Sequence, residues 1–327
     1  MDSLIFAINA TLPIVFMVAI GYALKRIGFI GESFAKTANK LVFRLFLPAL
    51  LFINVYKIGN FRDIDPLYML YVFAALVILF IVAIPLVIGV TRDRRRRGAL
   101  LQAVFRSNYA LIGIPLTESL FGEEGVIAAT LLSIVTVPTL NILGVLSLSM
   151  FRGEGKVKIK KILVDIVKNP LIEAIFIGLA VLGIRALLVH YGLSFRLSDV
   201  TPVYKVLTYL SNLATPLALI ALGAQFEFSA VAEMKKEIIV GTVMRTVVVP
   251  ILGVGAAYLF FGDVFTGAHF ATFVSVFATP TSVSSVPMTQ EMDGDVILAG
   301  QYVVWTTLVS ALTVFLTSFF LRYVGIF

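Results

Sequence analysis

The chain contains no cysteine and only two histidines among its 327 residues. Without cysteine it can form no disulfide, no thiolate metal site and no cysteine nucleophile. The histidines, His190 and His269, are too few and too far apart in the sequence to suggest a metal centre. The sequence also lacks a Walker A motif, a His-Glu-x-x-His motif and a pair of aspartates within an apolar segment. These absences argue against an ATP-driven pump and an intramembrane enzyme, and we expect neither a cofactor nor a metal.

Apolar residues dominate the composition instead. They make up 59% of the sequence, charged residues make up 14%, and the mean hydropathy is +1.00. A helix that spans a bilayer needs roughly 20 predominantly apolar residues. We therefore predict an all-α membrane protein with ten transmembrane helices. The predicted spans are residues 4–24, 37–56, 67–90, 99–121, 125–149, 170–189, 204–225, 237–260, 266–290 and 295–320.

The prolines indicate an internal repeat. The offset that takes Pro115 to Pro287 also takes Gly122 to Gly294. Such a match suggests two homologous halves, because the segments around both prolines are similarly placed among the predicted spans. Three further proline pairs follow in the same order at similar offsets: Pro13 with Pro170, Pro48 with Pro216, and Pro85 with Pro250.

The predicted halves, residues 1–150 and 170–327, contain five spans each and are joined by a basic linker, residues 151–169. An odd number of spans per half makes the two halves enter the membrane in opposite directions, which gives a 5+5 inverted repeat. Most lysines and arginines fall on the side that holds the linker and the run Arg94–Arg97. The positive-inside rule makes that side cytoplasmic and both termini extracytoplasmic, in the plasma or inner cell membrane. The net charge of +7 is therefore a topology signal, with possible contacts to anionic lipid, and does not predict nucleic-acid binding.

Two predicted spans contain polar residues and proline where a spanning helix should be apolar. These stretches are Ser107–Pro115 in the fourth span and Thr279–Pro287 in the ninth. Proline inside a helix removes a hydrogen bond and clashes with the preceding turn. Broken helices persist in a membrane only where protein or a water-filled cavity satisfies their backbone groups. At 1.5 Å per residue both stretches reach about the bilayer midplane, so we expect the two broken helices to cross there.

Each interruption should create a helix N-terminus with unpaired N–H groups and a partial positive charge. Two such ends that meet would form an anion site. We expect Pro115 and Pro287 in the first turns of the second half-helices, and Gly113, Ser284 and Ser285 at the turns themselves. The remaining candidate substrate-binding residues are Arg106, Asn108, Tyr109, Asn141, Asn212, Thr279, Pro280, Thr281 and Ser282.

Some of these residues have a structural alternative. The serine and threonine hydroxyls could instead form hydrogen bonds between packed membrane helices. Arg106, like Arg44 and Arg245, lies in an apolar segment, where arginine is costly unless it snorkels, pairs or lines an aqueous vestibule. Glu118 and Glu291 follow the interruptions and could carry a coupling proton or simply lie at the membrane surface.

The stretch Asn108–Pro115, Asn-Tyr-Ala-Leu-Ile-Gly-Ile-Pro, with its Pro-Thr-Ser counterpart from Pro280, resembles the auxin efflux carrier family. The resemblance covers essentially the whole chain, and members are similar in architecture to bile-acid sodium symporters. It implies a scaffold domain from spans 1, 2, 6 and 7, a transport domain from the others, elevator-like motion, and homodimers through the scaffold. It also implies substrate beside the crossing of helices 4 and 9, at Asn108, Pro115, Pro280 and Pro287.

These features predict a secondary transporter for small organic anions such as carboxylates, working by elevator-type alternating access. The resemblance implies malonate, malate or auxin-like anions, although the long cytoplasmic loop of the plant members is absent here. A passive anion channel and a sodium-coupled organic-anion symporter are the alternatives. A channel should show a polar stripe along several spans, whereas polar residues here cluster at mid-depth. The anion, the coupling ion (proton, sodium or none) and the direction of transport stay open.

Overall fold

The computed structural model describes residues 2–57, 65–153, 159–193 and 195–327. Within these residues the chain is helical and contains no β-strand beyond one isolated bridge. The main helices are α1 (Asp2–Arg26), α2 (Glu32–Tyr56), α3 (Pro66–Val90), α4 (Arg94–Phe105), α5 (Tyr109–Ser149), α6 (Ile159–Val167), α7 (Pro170–His190), α8 (Thr201–Gln225), α9 (Lys235–Phe261), α10 (Gly267–Phe277), α11 (Ser285–Glu291) and α12 (Val296–Tyr323).

Seven of these helices, namely α2, α3, α5, α7, α8, α9 and α12, are long and apolar enough to cross a membrane. Large apolar side chains such as Leu70, Phe176 and Phe260 are exposed on them, as expected for surfaces that face lipid. Helix α5 is divided by non-helical backbone angles at Phe121 and Gly122, where Gly122 has a positive φ of 56°. The predicted all-α membrane protein is thus confirmed, whereas the ten-span inverted repeat stays a prediction.

The ends of several helices follow from their sequence. Asp65 caps α3, since its Oδ1 accepts hydrogen bonds from the amides of Leu67 and Tyr68, and Pro66 occupies the first helical position. Asp93 and Asp295 cap α4 and α12 in the same way. Of the predicted linker, residues 154–158 lie outside the described residues, and most of the remainder forms α6.

Three prolines within long helices widen the helix without breaking it. A π-helical turn in α2, α5 and α9 ends just before Pro48, Pro115 and Pro250, respectively. Proline has no N–H to donate and its ring crowds the carbonyl four residues earlier. A wider turn relieves that crowding and lets the helix continue. The prediction for Pro115 was therefore wrong in position: the helix restarts at Tyr109, and Pro115 lies in its second turn.

The helices pack chiefly in two groups. Helices α1, α2, α7 and α8 pack against one another, and α3, α4, α5, α9 and α10 form the second group, while the short helix α11 contacts members of both. Helix α12 contacts members of both groups, most extensively α1. The functional cavity described below lies where the two groups meet.

Helices α1 and α8 approach each other through glycine. A Cβ added at Gly223 would collide with the backbone of Val18 and Tyr22, and one at Gly21 would collide with the backbone of Ile220. Backbone atoms cannot turn aside as a flexible side chain can, so the helices would have to separate.

We expect Gly223→Leu to lower the free energy of unfolding by about 3 kcal/mol or more, since overpacking by a single methylene already costs about 1–3 kcal/mol. Size-exclusion profiles and thermal unfolding in detergent would measure this loss. Gly183→Leu is the matched control, because a Cβ there meets nothing within 4 Å. Equal stability of the two variants would contradict the close helix contact.

Candidate functional site

Two interruptions of the helical backbone form the centre of the site. The first break, Arg106–Asn108, separates α4 from α5, and the second break, Ala278–Ser284, separates α10 from α11. Arg106 is extended, with φ −85° and ψ 94°, so the chain leaves the helix abruptly at this residue. Both interruptions overlap the stretches that polar residues and proline marked in the sequence, and each begins one residue earlier.

The two breaks lie side by side and satisfy each other's backbone. The amide of Asn108 donates to the carbonyl of Pro280 at 2.8 Å, and the amide of Ser282 donates to the carbonyl of Arg106 at 3.0 Å. Ser107 and Thr281 lie between these bonds as an isolated antiparallel bridge. Such pairing provides the hydrogen bonds that a membrane-buried break needs in place of intrahelical ones.

A cavity lies beside the first break, between the two groups of helices. Leucine, valine and alanine side chains form most of its wall, with Leu47, Leu50 and Leu51 coming from α2. Arg106 is the only charged residue among its described lining residues. Small-molecule sites have a similar lining, mostly apolar with a few placed polar groups.

The guanidinium of Arg106 is buried, with 1% of the residue exposed, and it contacts only neutral groups. Its Nη1 donates to Gln102 Oε1 at 2.7 Å and to Met288 Sδ at 3.1 Å. Its Nη2 donates to Asn141 Oδ1 at 2.9 Å and to Ser284 Oγ at 3.0 Å. No carboxylate forms an ion pair with it in the described part of the chain. A buried charge without a counter-ion is costly, and a bound anion would remove that cost.

The start of α5 adds donors to the same wall. Tyr109, Ala110 and Leu111 line the cavity, and their amides have no carbonyl one helical turn earlier to receive them. The side-chain Nδ2 of Asn108 is buried without a hydrogen-bond partner, and Asn108 lines the cavity too. Positive charge and free donors therefore converge on one side of the cavity.

The predicted site residues fall into two sets. Arg106, Asn108, Tyr109, Asn141, Ser282 and Ser284 line the cavity. The others do not: Thr279, Pro280 and Thr281 are buried in the second break, where the backbone or side chain of each makes hydrogen bonds within the protein. Ser285 and Pro287 are buried in α11. None of these five residues lines the cavity.

Three further positions differ from what the sequence suggested. Gly113 is helical, with φ −65° and ψ −50°, so it forms no turn. Its lack of a side chain allows close packing on Ser275 of α10. Asn212 is exposed and lies outside the cavity lining. The second helix N-terminus is not free either: the amides of Ser285 and Val286 are bonded within a tight turn. One helix start and Arg106, not two helix starts, supply the positive potential.

Sequence reasoning missed two polar residues that line the opposite wall. Asn54 of α2 and Thr215 of α8 both face the cavity. Asn54 is a single amide within an otherwise apolar segment, and Thr215 precedes Pro216. Those are weak signals, because isolated polar residues in membrane helices commonly serve packing.

Comparison with known proteins agrees with this architecture. The membrane transport protein family matches residues 6–318. The chain belongs to this family, the auxin efflux carriers. An uncharacterized transporter of Methanothermobacter thermautotrophicus is 25% identical over 95% of this chain and 97% of its own length. An uncharacterized transporter of Methanocaldococcus jannaschii is 28% identical over 66% of this chain and 67% of its own length.

Membership in the auxin efflux carrier family confirms the resemblance that the Asn108–Pro115 stretch suggested, and it makes the chain a multi-pass membrane transporter. The chemistry of the transported solute has to be inferred from the residues that line the cavity.

Proposed function

We propose that this transporter is a secondary carrier of small organic anions that bind beside the two breaks. The observation that carries the proposal is the buried guanidinium of Arg106, which lines the cavity and has only neutral partners. Inside a protein, opposite charges attract far more strongly than in water, so an anion entering the cavity would be held there. The first amides of α5 strengthen the same preference.

The cavity lining also supports a particular substrate charge. One cationic side chain can compensate one negative charge, and the remaining wall is largely apolar. A second carboxylate would lie against neutral or apolar groups and would lose its hydration without an ionic partner. We therefore favour monocarboxylates with a compact apolar body over dicarboxylates such as malonate or malate.

Alternating access would follow from the division into two groups of helices. In this proposal α1, α2, α7 and α8 form the scaffold, while the second group, α11 and α12 form the transport domain within a 5+5 inverted repeat. Polar contacts join the two proposed domains where α2 meets α11: Asn39 Nδ2 donates to Gln290 Oε1 at 3.0 Å, and Arg44 pairs with Glu291 at 3.0 Å. Elevator movement of the transport domain would have to break both contacts.

The proposal includes features that follow from family and charge pattern alone. We place the protein in the cell membrane with both termini extracytoplasmic, as a homodimer through the scaffold. Substrate movement would be coupled to a proton, to sodium or to neither.

Uptake into proteoliposomes tests the proposal. We expect saturable uptake and counterflow of radiolabelled monocarboxylates, with dicarboxylates of similar size competing at least tenfold more weakly. Proton and sodium gradients imposed separately would identify the coupling ion, and a response to sodium alone would mean a sodium-coupled symporter. Flux that neither saturates nor shows counterflow would mean a passive channel and would contradict the carrier.

A further inference from the structure

A second buried arginine lies behind the breaks and outside the cavity. Arg245 belongs to the π-helical turn Met244–Val248 of α9 and is 0% exposed. It is absent from the cavity lining, and no ion pair to it occurs within the described residues. The sequence suggested that it snorkels, pairs with a carboxylate or lines an aqueous vestibule, and in the structure it is fully buried with none of the ion pairs that the described residues form.

Every hydrogen bond of Arg245 goes to a backbone carbonyl near the breaks. Its Nη1 donates to the carbonyls of Val104 and Phe105, both at 3.3 Å, which are the last two residues of α4. Its Nη2 donates to Val276 of α10 at 2.8 Å, and its Nε donates to Thr279 of the second break at 2.8 Å. One guanidinium thus contacts both chain segments.

The helix ends that accept these hydrogen bonds also compensate the positive charge of Arg245. Each helix C-terminus carries about half a negative elementary charge, so two of them together offset about one guanidinium. The carbonyls at these ends have lost their intrahelical donors, and each would cost several kcal/mol if left unpaired within the membrane. Arg245 is therefore compensated by the protein itself, in contrast to Arg106.

We propose that Arg245 is a positioning residue that holds the C-terminal ends of α4 and α10 together. It thereby fixes the spacing of the two breaks and, through them, the position of Arg106 and of the first amides of α5. Lysine could not replace it fully, because a single ammonium lacks the planar fork that reaches several carbonyls in fixed directions.

The absence of natural cysteine allows a direct test of this spacing. Ser107 and Thr281 form the isolated antiparallel bridge between the breaks. Residues opposed in this way, between the two backbone hydrogen bonds, have Cα atoms about 4.5 Å apart, which suits a disulfide. The double variant Ser107→Cys/Thr281→Cys should cross-link rapidly under mild oxidation in detergent or membranes.

Adding Arg245→Gln to this cysteine pair should slow cross-linking at least tenfold, and adding Arg245→Lys should slow it by an intermediate factor. Arg44→Gln is the matched control, since Arg44 lies in a similar π-helical turn but is exposed, and it should leave the rate unchanged. If the glutamine variant does not fold, the lysine variant decides the question. Cross-linking at the control rate in whichever variant folds would overturn the proposal.

Transport kinetics give a second readout, which rests on the proposed function. In the cysteine-free protein, Arg245→Gln should raise the KM for all anions by a similar factor and leave the preference for monocarboxylates unchanged. A change in that preference would mean that Arg245 contacts substrate, contrary to the proposal. The two proposals can fail separately. If the Arg245 variants cross-link more slowly but the wild-type protein takes up no anion, Arg245 is a positioning residue and the carrier function is rejected.

Discussion

Arg106→Gln is expected to reduce the uptake of organic anions, measured as Vmax/KM in proteoliposomes, by about a hundredfold or more. Removing one member of a buried, hydrogen-bonded charge pair typically costs about 2–5 kcal/mol, and about 2.8 kcal/mol corresponds to a hundredfold change. Glutamine keeps a polar side chain with two N–H donors and removes the positive charge. The loss should therefore appear mainly as a higher KM.

The matched control for this prediction is Arg44→Gln. Arg44 is 63% exposed and pairs with Glu291, outside the cavity lining. Exposed ion pairs contribute little, about 0–1 kcal/mol, so the control should keep nearly normal affinity for the anion. Arg106→Gln with a KM within threefold of the wild type would remove the main support for an anion carrier.

Gln102→Glu is expected to suppress uptake about thirtyfold without touching the cavity. Gln102 is buried behind Arg106 and accepts its Nη1–H at 2.7 Å. A glutamate there would keep the shape and give Arg106 a permanent counter-ion. The substrate would then meet a neutral pair, and its carboxylate would gain little on binding.

The same substitution should leave the thermal stability unchanged or raise it. The ion pair would compensate a charge that is otherwise uncompensated in the empty protein. The hydroxyl of Thr289, 3.5 Å from Gln102 Nε2, can rotate to donate to the new carboxylate. Loss of transport together with retained stability separates an electrostatic effect from misfolding.

Gln102→Met removes the acceptor without adding charge and should keep the affinity for monocarboxylates within about fivefold. If Gln102→Glu transports anions with the wild-type KM, the charge of Arg106 does not bind substrate. If both variants fail equally, the hydrogen bond to Arg106 matters and its charge does not.

Local patterns predicted the broad class and the breaks because both depend on short-range chemistry. A long apolar segment has to span a membrane or be buried, and polar residues with proline weaken a helix wherever it lies. The position of Pro115 shows the limit of such rules. Proline can be accommodated by a π-helical turn, and the true interruption came at Arg106–Asn108, where the backbone is extended.

The roles of individual site residues were harder to predict. Thr279, Pro280 and Thr281 looked as favourable as Ser282 and Ser284, since all five lie within one polar stretch. Only Ser282 and Ser284 face the cavity. Which side of an irregular segment faces a cavity depends on the packing of distant helices, and no periodic pattern exists in a broken segment to reveal it.

The two buried arginines show most clearly what the sequence determines and what the tertiary structure determines. The sequence by itself showed that Arg106 and Arg245 lie in apolar segments, and it predicted a membrane transporter with two interrupted spans. Tertiary structure decided that Arg245 binds the carbonyl ends of two helices while Arg106 faces a cavity without a counter-ion. The reason is that a charge is compensated by groups within a few ångströms, and those groups come from segments far apart in the chain.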